Sequence, residues 1–176
     1  MKPDVKLNLA RPALPSAQCC AEDRSGHSPA LLLACGNSLR QDDGVGLKIA
    51  EAAEHLFPAS RLRVVAAPQF TPEMAADLAS TDLAIFVDAS VADQRGAIRV
   101  LPVTARDVSP ETHRLDPPAL LAMARSLCGH APARAFALTI GAGSFGYSEE
   151  ISGPLRHAVP RAVRLLGNLV AAFGEA

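Results

Sequence analysis

Apolar and polar positions along the chain alternate between two rhythms. Short apolar or alternating runs at Ala30–Cys35, Leu62–Ala67, Leu83–Ala89, Ala97–Pro102 and Ala135–Gly141 predict five strands. Helical periodicity fills most of the intervals. Over Asp43 to Leu56 it places Val45, Ile49, Ala52, Ala53 and Leu56 on one face, with Lys48, Glu51, Glu54 and His55 opposite. A short helix over Pro72–Ala79 follows Thr71 as N-cap. Asp116-Pro117-Pro118 opens another, which turns Leu120, Leu121, Ala124, Leu127 and Cys128 inward and ends at Gly129. The last helix begins near Pro154, and Pro160 within it predicts a kink or a restart.

Strand–helix alternation predicts an α/β fold with a mostly parallel sheet. The connection back from the third strand is about seven residues, too short for a crossover helix, so the fourth strand is expected to run antiparallel at an edge. At 176 residues one domain is expected, spanning 29–176. Residues 1–28 mix charged residues and prolines without the apolar stretch of a secretory signal, and are expected to form a flexible N-terminal extension.

Charge and composition exclude several classes. A net charge of −1 without a basic stripe, with one Tyr and no Trp, gives nucleic acid nothing to hold. No apolar run approaches the roughly 18 residues of a membrane span. Cys19, Cys20, Cys35 and Cys128 lack zinc-like spacing, and this usage fits a reducing cytoplasm.

Candidate chemistry gathers at strand ends. The first strand runs into Gly36-Asn37-Ser38-Leu39-Arg40-Gln41-Asp42-Asp43-Gly44-Val45-Gly46, which sets two adjacent carboxylates at a helix start. There the helix dipole favours their ionised form. An isolated Asp-Asp at such a place more often caps than reacts. Here Gly44 and Gly46 strip side chains from the opening turn and leave room for something bulky. Asp88 closes the third strand, and if both strands run parallel it shares an edge with the pair. His113 precedes the Asp116 helix. Asp43, Asp88 and His113 together would supply two oxygens and an imidazole nitrogen, a set suited to nickel or zinc. Asp42 is expected to shape the helix start instead.

Two further motifs carry less. Gly141-Ala142-Gly143-Ser144-Phe145-Gly146 matches a dinucleotide fingerprint, but no helix opens at once and no strand follows. The same stretch loosely resembles a serine-hydrolase elbow without its first Gly. It is read as a Gly-rich loop bordering the pocket, with a nucleotide- or phosphate-binding module as the rival.

The segment 36–46, together with Gln69-Phe70-Thr71-Pro72-Glu73, Phe86-Val87-Asp88-Ala89 and Thr112-His113-Arg114-Leu115, resembles the hydrogenase maturation proteases. The resemblance runs from about Leu31 to Phe173. It implies a three-layer α/β/α sandwich with a five-stranded sheet. It also implies an endopeptidase, grouped with the aspartic type, that removes a C-terminal peptide from the precursor of a hydrogenase large subunit. No Asp-Thr-Gly pair occurs. By the resemblance Asp43, Asp88 and His113 hold nickel already inserted in the substrate, and Asp43 and Asp88 are the catalytic carboxylates. The family often has Glu at the first position, so Asp43 is the shorter variant. The expected partner is the large-subunit precursor, the expected cofactor is substrate-borne nickel without any nucleotide, and the expected state is a monomer. The rival within this reading is a non-catalytic chaperone of the large subunit.

Overall fold

A computed structural model describes residues 28–106 and 115–174. The expected N-terminal extension, apart from Ser28, and His113 lie outside the described residues. The strands are β1 (Ala30–Cys35), β2 (Leu62–Ala67), β3 (Leu83–Ser90), β4 (Ile98–Pro102) and β5 (Arg134–Gly141). The helices are α1 (Val45–Leu56), α2 (Met74–Ala79), α3 (Pro117–Cys128) and α4 (Gly153–Gly174). The sheet order is β2-β1-β3-β5-β4, parallel except for the β4–β5 pair, so the antiparallel edge strand is β4 as expected.

Alternation along the strands sorts the core into two layers. Leu32 and Ala34 of β1, Ile85 and Val87 of β3, and Leu138 and Ile140 of β5 face α1 and α4. Leu31, Leu33, Ala84, Phe86 and Ala135 face α2 and α3, and Phe70 packs edge-on against Phe86 at 5.6 Å between ring centres. Helices therefore cover both faces, and the architecture is the expected α/β/α sandwich. No helix among the described residues is long and apolar enough to cross a membrane.

Several local expectations differ from the structure. The predicted helix over Asp43–Leu56 divides into a 3-10 turn, Gln41–Gly44, and an α-helix from Val45. The tighter turn holds the chain against the end of β1. Leu56 is 65 % exposed and Leu127 63 %, not core residues. Each sits in a final helical turn whose contact with the core is made by neighbours instead, Phe57 after α1 and Ala131 after α3. Pro160 neither ends nor restarts α4, which is helical from Gly153 to Gly174. Burial of Leu155, Ala158, Ala162, Val163 and Leu166 on both sides of it outweighs the one backbone hydrogen bond it removes. At α3 the expected cap is present: the Asp116 side chain accepts the Ala119 N–H at 2.9 Å, and Gly129 closes the helix at φ +72°.

Candidate active site at the carboxyl edge of the sheet

From β1 the chain continues one way through α1 to β2, while β3 lies on the other side of β1. This reversal opens a crevice beyond the carboxyl ends of β1 and β3, the usual ligand position in an open parallel sheet. Two glycines shape its floor. Gly36 takes φ +148°, and a Cβ there would lie 2.0 Å from the Asp43 carbonyl oxygen. At Gly46 a Cβ would lie 2.3 Å from the Cys35 carbonyl oxygen and 3.2 Å from that of Val87. The first turn of α1 thus presses on the ends of both strands, which no larger residue permits.

The adjacent acids have opposite fates. Asp42 is fully buried. Its Oδ2 accepts the N–H groups of Gly143 at 3.1 Å and Ser144 at 2.9 Å, and its Oδ1 accepts that of Ser152 at 2.8 Å. Burial pushes its carboxyl pKa up, but the hydrogen bonds from Ser152, Gly143 and Ser144 outweigh it and hold the group below its ordinary value. Asp42 is therefore a clamp between the turn after β1 and the loop after β5. It shapes more than the local helix start. Gln41 shares the task from a left-handed φ of +49°, its Oε1 accepting the Gly146 N–H at 3.1 Å.

Asp43 points the other way. In a 3-10 turn successive residues lie about 120° apart, so burying one neighbour turns the next outward. Asp43 is half-buried, and its Oδ2 accepts the Asn37 N–H at 3.1 Å, while Asn37 Oδ1 accepts that of Leu39. Asp88, at the end of β3, is also half-buried, with Oδ1 accepting the N–H of Ala89 at 2.7 Å. Both carboxylates line one open cavity of about 520 Å³. Cys35 and Gly36 contribute to it from β1 and the turn that follows, Pro68 to Pro72 from the loop after β2, and Leu115 to Pro117 from the start of α3.

The structure therefore brings together two of the three predicted ligands. The third, His113, lies outside the described residues. Among the described residues no three His, Cys, Asp or Glu side chains are grouped to hold a metal ion. In the loop after β2 the cavity-lining residues Pro68 to Pro72 carry no acid or base, and Glu73 follows them outside the lining. Gln69 to Glu73 is nonetheless one of the motif segments singled out in the sequence, and the loop leaves a strand that pairs in parallel with β1.

The Gly-rich loop after β5 does not border this cavity, contrary to expectation. It turns toward Asp42, which already takes the N–H groups of Gly143 and Ser144, and Gln41 takes that of Gly146. These are the donors that a phosphate would need. An internal carboxylate occupies their place, and the nucleotide or phosphate reading loses its basis.

A doubly wound sheet with two carboxylates at its reversal point defines an α/β protein whose site lies beyond the central strands. Within that class, known structures give a narrower match. The hydrogenase maturating endopeptidase HybD from E. coli superposes with a TM-score of 0.68 at 20% identity, covering 83% of this chain and 94% of that one. The [NiFe] hydrogenase maturation protease HycI from Thermococcus kodakarensis gives 0.64 at 22%, covering 84% and 95%. A hydrogenase 2 maturation peptidase from a Thaumarchaeota archaeon gives 0.62 at 21%, covering 81% and 98%. No protein-family model and no curated protein sequence matches the chain. The chain has the fold of the hydrogenase maturation proteases.

Proposed function

We propose that this protein is a hydrogenase maturation endopeptidase that removes a C-terminal peptide from the nickel-loaded precursor of a hydrogenase large subunit in the cytoplasm. The observation that carries the reading is the meeting of Asp43 and Asp88 on one open cavity at the reversal point of the sheet. These are two of the three positions at which the sequence resembles the family's metal-binding residues, and the shared fold supports the same assignment. In the sequence His113 stands two residues before Leu115, which lines the cavity.

Two carboxylates and an imidazole form a donor set for a borderline divalent metal that leaves other positions to the substrate's own ligands. Nickel belongs to the substrate in this scheme, and it supplies Lewis acidity and an anchor beside the scissile peptide. Asp43 and Asp88 hold the metallated end of the precursor in the cavity. A carboxylate within hydrogen-bond reach of water takes its proton as the oxygen attacks the scissile carbonyl, and passes that proton to the leaving amine. Recognition through the metal makes cleavage conditional on completed nickel insertion.

The test is incubation with nickel-loaded precursor, followed by mass spectrometry of the intact chain. Loss of a short C-terminal peptide is expected from the loaded precursor and not from the nickel-free one. A stable complex with no mass loss would identify a chaperone and end the peptidase reading. Equal processing of nickel-free precursor would remove the metal from recognition.

A further inference from the structure

Beside the carboxylate cavity lies a second hollow of about 530 Å³, and Asp88 lines both. Its origin is legible in the strand registers. Phe86 of β3 pairs with Ala137 of β5, which pairs with Leu101 of β4; one row further on, Asp88 pairs with Thr139. Side chains in one such row share a face of the sheet. β5 therefore offers the small Ala137 between the larger Phe86 and Leu101, and in the next row the small Thr139 between Asp88 and Arg99. The floor is low and the walls are high. Pro117 and Pro118 at the start of α3 form the opposite wall with Phe70.

The lining is mostly apolar. Arg106, at the rim, carries a charge, but its Nη2 lies 2.5 Å from Asp116 Oδ2, so that charge is already matched. Leu101 stands half-exposed over the hollow on the edge strand. An apolar groove that runs from a reactive carboxylate has the form of a side-chain specificity site, where burial sets the preference and the carboxylate end does the chemistry.

We infer that the groove bounded by Phe86, Leu101, Ala137 and Thr139 is a subsite for a large aliphatic side chain of the substrate peptide, within three residues of the cleaved bond. The inference rests on the peptidase reading and deepens it, since it names what the precursor must carry besides nickel. The occupant follows from continuity and chemistry. A peptide held at Asp88 and running toward β4 crosses the groove, whose apolar walls offer burial to an apolar side chain.

Two measurements test it. In the first, N-acetyl-leucinamide is titrated into the full chain and backbone amide resonances are followed by NMR. Saturable shifts at Phe86, Leu101, Ala137 and Thr139 are expected, and they should vanish in Leu101→Glu, a change at an exposed position that the fold tolerates. Absence of such shifts at millimolar ligand overturns the subsite. The second uses nickel-loaded precursors with each of the three residues on either side of the cleaved bond replaced in turn by serine. One aliphatic position should lose about tenfold in kcat/KM with the wild-type protein. That same replacement should matter less than twofold with Leu101→Glu or with the groove-filling Ala137→Leu. Processing that is normal but shows no such coupling removes the subsite and leaves the peptidase standing. Failure of the wild-type protein to process any loaded precursor removes the peptidase reading, and the subsite with it, whatever the groove binds.

Discussion

The two faces of the sheet are built from similar residues and finished differently. On one, α1 and the long α4 cover the strands to their carboxyl ends, and the buried Asp42 ties the turn after β1 to the loop that leads into α4. On the other, α2 has six residues and α3 starts at a Pro-Pro pair, so the last rows of β3 and β5 stay uncovered. The closed face holds position and the open face holds the candidate site. Asp42 and Asp43 repeat this division within two residues. Identical side chains act as clamp or as candidate ligand according to the direction in which a 3-10 turn aims them.

Substitutions that treat the two faces alike would break this comparison. The largest effect is expected on the open side. Asp43→Asn, Asp88→Asn and His113→Ala should each cut precursor processing by at least about 100-fold. The midpoint of urea unfolding should stay close to that of the parent. An active Asp88→Asn protein would sink the site assignment.

On the closed side the pattern reverses. Asp42→Ala leaves three N–H groups without their acceptor and should cost roughly 3–5 kcal/mol of stability in denaturant titrations. Because Asp42 is held below its ordinary value, its contribution is complete above about pH 4 and fades as the pH falls through the lower folded-state value. The stability gap between wild type and Asp42→Ala should therefore narrow in acid. A gap that widens there would contradict the clamp.

Gly46→Ala tests the joint between the faces. Its methyl would press on the Cys35 carbonyl, and a loss of about 1–3 kcal/mol is expected by thermal unfolding. The smallest effect belongs to Leu127→Ser, within about 0.5 kcal/mol of wild type, because that side chain is mostly in water. A large loss would return Leu127 to the core.

Much of the fold was legible because strands covered on both faces read as short continuous apolar runs. β1 and β2 have the predicted bounds, and the short return from β3 correctly predicted an antiparallel β4. Helix ends were less legible: Leu56 and Leu127 continue an apolar stripe yet stand mostly in water, while Phe57 and Ala131 just beyond them pack on the core. At the candidate site, Asp88 was conspicuous as a carboxylate ending an apolar strand and Asp43 as one of an acidic pair at a helix start. The role of Asp42 was hidden, since its partners Gly143, Ser144 and Ser152 lie about a hundred residues away. Backbone N–H groups carry no sequence signature. The apolar groove was hidden for the opposite reason: Ala137 and Thr139 matter by what they leave empty.

The Asp42 clamp also has a consequence in time. Gly143 sits on an exposed loop, where an amide ordinarily exchanges its hydrogen with water almost at once. Its N–H, however, is held by a carboxylate with no access to solvent, and release needs the turn after β1 to part from the loop before α4. The amides of Gly143, Ser144 and Ser152 should then exchange together, at a rate set by that single opening. A surface loop would report the slow breathing of the interior.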